Sequence, residues 1–134
     1  MIIKTREQIP IEETIELHGV KKELVIGEYD NSYQLVLRML SIEPNRFMPI
    51  HSHEYPHIWK IEKGVGIITD NDNNEIIVSE GQFIFIKNNE KHGMKNIGNV
   101  NLEYLCFGTM ESEKSSPMNT LSASAGTAGN GAVV

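Results

Sequence analysis

Several features are scarce or missing in this sequence. Cysteine occurs once, as Cys106, so an internal disulfide is excluded and the composition suits a reducing cytosol. No apolar run approaches the roughly 20 residues of a membrane span, and the N-terminus lacks a signal-peptide core. Basic residues number 12 against 18 acidic ones, which disfavours nucleic acid or an anionic membrane as a partner. We therefore expect a cytoplasmic protein that acts on a small molecule.

Amphipathic helical patterns of useful length are also missing, and short strand-like segments take their place. Turn signals rich in Gly, Pro, Asn and Asp separate these segments at intervals of about 8–12 residues, which is typical of a β-sandwich or a small barrel. With 134 residues, the chain is long enough for one domain. Strands are predicted at 22–26, 33–42, 57–61, 65–69, 75–78, 82–86, 92–96 and 101–107.

The composition changes abruptly at Glu111. Residues 112–134 consist mainly of Ser, Ala, Gly, Thr and Asn, which supply too little apolar bulk for independent folding. We interpret 1–110 as a single domain and 111–134 as a low-complexity, flexible C-terminal tail. A tail of foreign origin is an open alternative.

Four of the five histidines are placed so that they can converge on one point. His51, His53 and His57 fall within seven residues, and His92 follows later in the chain. Residues two apart on a strand face the same side, so His51 and His53 share a face. The Tyr55–Pro56 step interrupts the strand, and the chain can re-enter the sheet with His57 facing inward. Neutral imidazole is a preferred ligand of transition metals, so this pattern predicts a metal site.

The same residues resemble the two conserved motifs of the cupin superfamily. The first motif's positions are taken by Asn45, His51, His53, His57 and Gly64. The second motif's positions are taken by Gly81, Lys87, Asn89, His92 and Asn96. Asn45 and Asn89 stand where the motifs have glycine, and asparagine is the side chain that best tolerates left-handed backbone angles. The resemblance spans about residues 21–107 and is that of the small single-domain cupins with a four-histidine site.

This resemblance implies an all-β fold, the cupin double-stranded β-helix or jelly-roll barrel. It also implies that His51, His53, His57 and His92 hold a divalent transition metal, Mn(II) or Fe(II) first, with Cu, Ni and Zn left open. His57 replaces the usual glutamate, so four neutral ligands leave the ion's charge uncompensated and raise its reduction potential. Glu54 is an alternative carboxylate ligand, although it should face outward beside His53.

Four further residues are predicted to line the substrate pocket: Arg38, Trp59, Tyr104 and Cys106. Arg38 lies on an apolar strand face, where it would bind a substrate carboxylate or form an ion pair at the barrel rim. Trp59 is expected to form apolar cavity wall, and Cys106 is either a pocket residue or a small buried hydrophobe. For catalysis itself the candidates are weak, namely Tyr104 and Glu54.

The leading hypothesis for function is a metal-dependent oxidoreductase of dioxygenase type that uses O2 on a small organic substrate. The alternatives are a non-redox lyase or isomerase in which the metal acts as a Lewis acid, and a cupin that binds metal or a small molecule without turnover. A homodimer is expected, paired through outer strand faces such as Ile58/Lys60 or Ile84/Ile86.

Overall fold

The computed structural model describes residues 1–114, and these contain ten β-strands and one short α-helix. Single 3-10 turns occur at Arg6–Gln8, Ile11–Glu13 and Glu28–Asp30. The strands are β1 (Thr14–Leu17), β2 (Val20–Ile26), β3 (Leu35–Ile42), β4 (Phe47–His51), β5 (His57–Lys63), β6 (Val65–Thr69), β7 (Glu75–Ser79), β8 (Phe83–Ile86), β9 (His92–Asn96) and β10 (Leu102–Thr109), and the helix is α1 (Met110–Lys114).

The strands form two antiparallel sheets that enclose the main core. One sheet has six strands in the order β1-β2-β3-β10-β5-β8, and the other has four in the order β4-β9-β6-β7. This two-sheet arrangement is the jelly-roll barrel, so the predicted all-β fold class is confirmed. None of the helices in residues 1–114 is both long and apolar enough to cross a membrane.

Alternation of side chains along the strands determines which residues fill the barrel. In β5, Trp59 and Ile61 are buried on the inner face, whereas Ile58 on the outer face is half exposed. In β10, Tyr104 and Cys106 are buried on the inner face, as their spacing predicted. The core is Val20, Leu40, Ile42, Met48, Trp59, Ile61, Ile68, Val78, Ile86, Met94, Leu102, Tyr104 and Cys106.

The two asparagines that replace motif glycines both have left-handed backbone angles. Asn45 has φ +65° in the turn before β4, and Asn89 has φ +63° in the turn before β9. Gly64 and Gly81, which keep their motif glycines, have φ +91° and +89°. The turns therefore keep the backbone geometry of the motifs, because asparagine tolerates these angles better than other non-glycine residues.

Three parts of the fold differ from the sequence prediction. The strand β4 (Phe47–His51) is absent from the predicted list of strands. Thr14–Leu17 pairs with β2 as an additional edge strand, although its sequence gives only a weak strand signal. The predicted tail was wrong at its first residues, because Glu111 to Lys114 belong to α1 and Ser112 is buried against the barrel. Composition alone missed this helix because its contacts with the barrel are made by only a few side chains. The rest of the predicted tail, residues 115–134, lies outside the described residues.

Candidate metal centre

His51, His53 and His92 lie together at one end of the barrel and form what we call the histidine cluster. One ring nitrogen of each lies within 4.8 Å of the ring nitrogens of the other two. His51 and His92 are directly opposite each other on the antiparallel strands β4 and β9. His53 lies two residues past the end of β4, and its ring centroid is 4.9 Å from that of His92. Two strands and one loop therefore supply the three imidazoles.

The backbone fixes the orientation of all three rings. The Nδ1 atoms of His51, His53 and His92 lie 2.8, 2.6 and 2.8 Å from the carbonyl oxygens of Pro49, Tyr55 and Glu90. Because a carbonyl only accepts, each Nδ1 carries the proton and donates it, which leaves Nε2 with a free lone pair. The Nε2 atoms of His53 and His92 are buried without a hydrogen-bond partner.

The surroundings keep these imidazoles neutral. Burial lowers the pKa of His51 and of His53, and it lowers the pKa of His92 to about 4. The neighbouring histidines add to the shift, because a second positive charge in the cluster would repel the first. Neutral imidazoles with a fixed tautomer and an unshared lone pair are what a transition metal requires of its ligands. The residues present therefore fit a divalent metal.

His57 lies next to the histidine cluster but makes a different contact. Its ring centroid is 4.4 Å from that of His53, and its Nε2 accepts a hydrogen bond from Arg38 Nη2 at 3.2 Å. Burial and the guanidinium of Arg38 lower the pKa of His57 to about 2. The structure thus brings three of the four predicted ligands together and leaves the fourth at the edge of the group, with Nδ1 buried and unpartnered.

A narrow cavity leads from these histidines into the barrel. The predicted pocket residues Arg38, Trp59, Tyr104 and Cys106 all line it, together with His51, His53 and His57. Leu40 and Met48 add apolar wall, and Lys22 and Ser112 complete the lining. About 30 Å³ is open to the centres of water molecules, room for about two of them.

The candidate catalytic residues Tyr104 and Glu54 and the predicted pocket residue Cys106 occupy contrasting positions. Tyr104 is fully buried, its hydroxyl has no hydrogen-bond partner, and burial raises its pKa. Cys106 accepts a hydrogen bond from Trp59 Nε1 at 3.2 Å, and burial raises the pKa of its thiol. Both groups therefore carry their protons at neutral pH. Glu54 is exposed and does not line the cavity.

Sequence reasoning missed a group of charges beside the cavity. Lys22, Arg38 and Glu113 form what we call the charged cluster, in which the Glu113 carboxylate lies 2.6 Å from Lys22 Nζ and 3.2 Å from Arg38 Nη1. The Lys22 and Arg38 side chains are each only 3% exposed. Arg38 was recognised in the sequence because it lies on an apolar strand face. Lys22 gave the same signal in β2, since Val20 and Leu24 on its own face are apolar. Glu113 gave none, because it falls in the polar segment assigned to the tail.

Comparisons with known proteins agree with this architecture. The sequence profile of the cupin domain matches residues 38–108. The polyketide cyclase RemF from Streptomyces resistomycificus superposes with a TM-score of 0.73 at 22% identity, covering 82% of this chain and 80% of that one. Ectoine synthase from P. lautus gives 0.72 at 16% identity, covering 87% and 86%. Oxalate decarboxylase from Bacillus subtilis, studied for its Mn(II) centres, gives 0.61 at 15% identity, covering 72% of this chain and 26% of that one.

Sequence identities this low do not transfer a function from one protein to another. The superpositions show a shared fold. A search of curated sequences finds no match. The cupin profile covers more than half of the chain and includes His51, His53, His57 and His92. Together with the two-sheet barrel and the histidine cluster at its end, this match shows that the chain belongs to the cupin domain family.

Proposed function

We propose that this protein is a metal-dependent oxidoreductase of dioxygenase type that uses O2 on a small organic substrate. The observation that carries the proposal is the histidine cluster, whose three imidazoles are oriented by backbone carbonyls and kept neutral by burial. His51, His53 and His92 would hold the metal, with His57 as the fourth ligand once Arg38 releases its Nε2. Imidazole ligands suit Fe, Cu, Ni and Zn, and water in the open positions suits Mn(II).

When bound, the metal supplies open coordination positions and one-electron chemistry toward O2. The chain's own residues shape the space beside it. Trp59, Leu40 and Met48 form an apolar wall that excludes bulk water, and Tyr104 extends that wall with its ring 4.8 Å from the ring of Trp59. Exclusion of bulk water strengthens every electrostatic contact made inside the cavity.

The geometry favours redox chemistry because groups for proton transfer are poorly placed. A lyase or isomerase that works α to a carbonyl needs a base within hydrogen-bond reach of the substrate. Among residues 1–114, no Asp or Glu lines the cavity, and the Nε2 lone pair of His57 is occupied by Arg38. Tyr104 and Cys106 are buried and protonated.

The second candidate is non-redox catalysis with the metal as Lewis acid. It is favoured by the fold neighbours, since a polyketide cyclase and an ectoine synthase share this barrel. In that case His57 would become the base once Arg38 moves away from it, because its imidazole is the titratable group nearest the histidine cluster.

The deciding experiment compares metals and atmospheres. The purified protein is stripped of metal, loaded with Mn(II), Fe(II) or Zn(II), and offered small enediols and 2-oxo acids in an oxygen electrode. We expect O2 uptake with Mn or Fe that is absent with Zn and in the His92→Ala variant. Turnover that continues with Zn under argon would establish the Lewis-acid reaction instead. Retention of a small molecule without any product would identify a binding protein.

The fourth ligand is tested by a His57→Glu variant. If His57 joins the site, we expect the variant to keep its metal and to lower the metal's reduction potential, because a carboxylate cancels one positive charge. An unchanged potential, measured by redox titration of the Fe-loaded protein, would show that the metal is held without residue 57. Wild-type protein loaded in parallel is the reference.

We also propose that the protein forms a homodimer through the outer face of the six-stranded sheet. Phe107, Ile58 and Phe85 are register partners on the adjacent strands β10, β5 and β8, and each is at least 50% exposed. Such a continuous apolar row indicates an interaction surface. The predicted Ile84/Ile86 face was wrong, because Ile84 packs against the core and Ile86 is buried. We expect Phe85→Lys to convert a dimer to a monomer in light scattering, whereas Ile77→Lys, on the other sheet, should not.

A further inference from the structure

The charged cluster places two cations and one carboxylate next to the candidate metal centre. Lys22 in β2 and Arg38 in β3 lie on neighbouring antiparallel strands, and both line the cavity. Glu113 in α1 bridges them through its two oxygens, Oε1 to Lys22 and Oε2 to Arg38. The Glu113 carboxylate thus forms ion pairs with two buried cations at the side of the cavity.

Arg38 connects the charged cluster to the histidines. Its Nη1 contacts Glu113, its Nη2 contacts His57 Nε2 and Ser112 Oγ, both at 3.2 Å, and its Nε is buried without a partner. A guanidinium in this position presents several donors toward one side of the cavity. Any carboxylate bound to it lies close to the side chains that would hold a metal.

Glu113 reaches this position from a separate, short segment. The helix α1 has five residues, and Met110 packs beside Leu24 and Val36 at its start. Glu113 itself is 13% exposed, more than either cation it contacts. Lys22 and Arg38 lie on strands of the six-stranded sheet, whereas Glu113 lies in α1, at the end of the described residues. Substituting another carboxylate for it requires movement of α1 and leaves the barrel strands in place.

We propose that Lys22 and Arg38 form a subsite for the carboxylate of a small organic acid, and that Glu113 occupies this subsite when no acid is bound. This inference rests on the proposed function and names the substrate class of the same cavity. A ligand carboxylate would make the two contacts that Glu113 makes, and Arg favours such paired contacts. Its neighbouring carbons would then point toward the histidine cluster. Displacement of α1 would enlarge the cavity at the same time.

The test measures binding of acids to metal-free protein by calorimetry, with malonate and pyruvate as probes. For the full-length Glu113→Gln variant we expect malonate affinity to increase at least ~10-fold over wild type, because the internal competitor has lost its charge. Glu111→Gln, an exposed change in the same helix, should leave affinity unchanged. Adding Lys22→Met to Glu113→Gln should abolish the gain.

Several outcomes would overturn the subsite. They are malonate affinity in Glu113→Gln that does not exceed that of wild type, equal binding of the neutral malonamide, or binding of inorganic phosphate in place of carboxylates. Should Glu113→Gln fail to fold, Glu113→Asp keeps the charge but shortens its reach, and it should still bind malonate more tightly than wild type. A Glu113→Asp variant without this gain contradicts the proposal equally.

These measurements need neither metal nor oxygen, so they separate the two proposals. Carboxylate binding that follows the expected pattern, combined with no metal-dependent O2 uptake, would retain the subsite and reject oxygenase chemistry. O2 uptake with neutral substrates only, combined with no gain in malonate affinity in Glu113→Gln, would retain oxygenase chemistry and reject the subsite.

Discussion

The histidine cluster and the charged cluster contribute to one cavity, through His51 and His53 on one side and Lys22 and Arg38 on the other, but burial affects the two clusters in opposite ways. Burial keeps His51, His53 and His92 neutral, and their backbone partners leave free lone pairs. The side chains of Lys22 and Arg38 are also buried, and both form ion pairs with the Glu113 carboxylate. Burial lowers the pKa of Lys22, and Glu113 opposes that shift. One region is thus organised to receive a cation and the other to receive an anion.

The largest effect is expected from removing one imidazole of the histidine cluster. His92→Ala should weaken Mn(II) or Zn(II) binding by more than ~100-fold, since even outer partners of metal ligands are worth about 10–100-fold. Calorimetry on metal-stripped protein measures this. The matched control is His18→Asn, outside the cluster, where asparagine suits the backbone angle of φ +51°. Equal affinity in wild type and His92→Ala would remove the cluster as the metal site.

Neutralising the shared carboxylate should mainly reduce stability. Glu113→Gln leaves Lys22 and Arg38 without their common counter-ion, and breaking a buried pair in this way costs about 3 kcal/mol. Urea unfolding measures the loss of free energy of unfolding, and Glu111→Gln is the control. Metal affinity should change less than in His92→Ala. A loss of metal binding as large as that caused by His92→Ala would show that the two clusters are one unit.

Acid should destabilise the metal-free protein through the histidine cluster. The pKa of His92 is about 4 in the folded chain and about 6.5 when unfolded, so the unfolded state binds more protons between these values. Stability is therefore complete above pH 6.5 and falls as the pH falls, by about 2 kcal/mol at pH 5 for His92 alone. Unfolding of chelator-treated protein across this range measures the slope, which should be shallower in His92→Ala.

The smallest effect is expected at Ser112. Its Oγ accepts a hydrogen bond from Arg38 Nη2 and donates one to the carbonyl of Thr109. Ser112→Ala removes both and should cost about 1 kcal/mol in urea unfolding. Metal affinity should stay at the wild-type value. A cost as large as that of Glu113→Gln would mean that α1 is held mainly by Ser112 and not by the ion pairs.

The sequence predicted the histidine cluster better than the charged cluster for a physical reason. Strand alternation and motif spacing fix His51 and His92 locally, and their pairing follows from antiparallel register. Glu113 contacts Lys22 across 91 residues of sequence, and it lies in a short helix whose composition resembles that of the tail. Periodicity carries no signal for such a contact. The hydrogen bond between Arg38 and His57 could not be predicted either. Strand spacing shows on which face a side chain lies, but it does not show which residue lies next to it.

The link between β4 and β5 runs from the four-stranded sheet to the six-stranded sheet and carries His53 in between. An ion coordinated by His51, His53 and His57 would clamp both layers at the barrel mouth. Metal occupancy would then govern how readily the two layers separate there. Amide exchange in residues 52–56 would slow on loading, while the β5–β6 turn at Gly64, at the other end of β5 from His57, would keep its own rate.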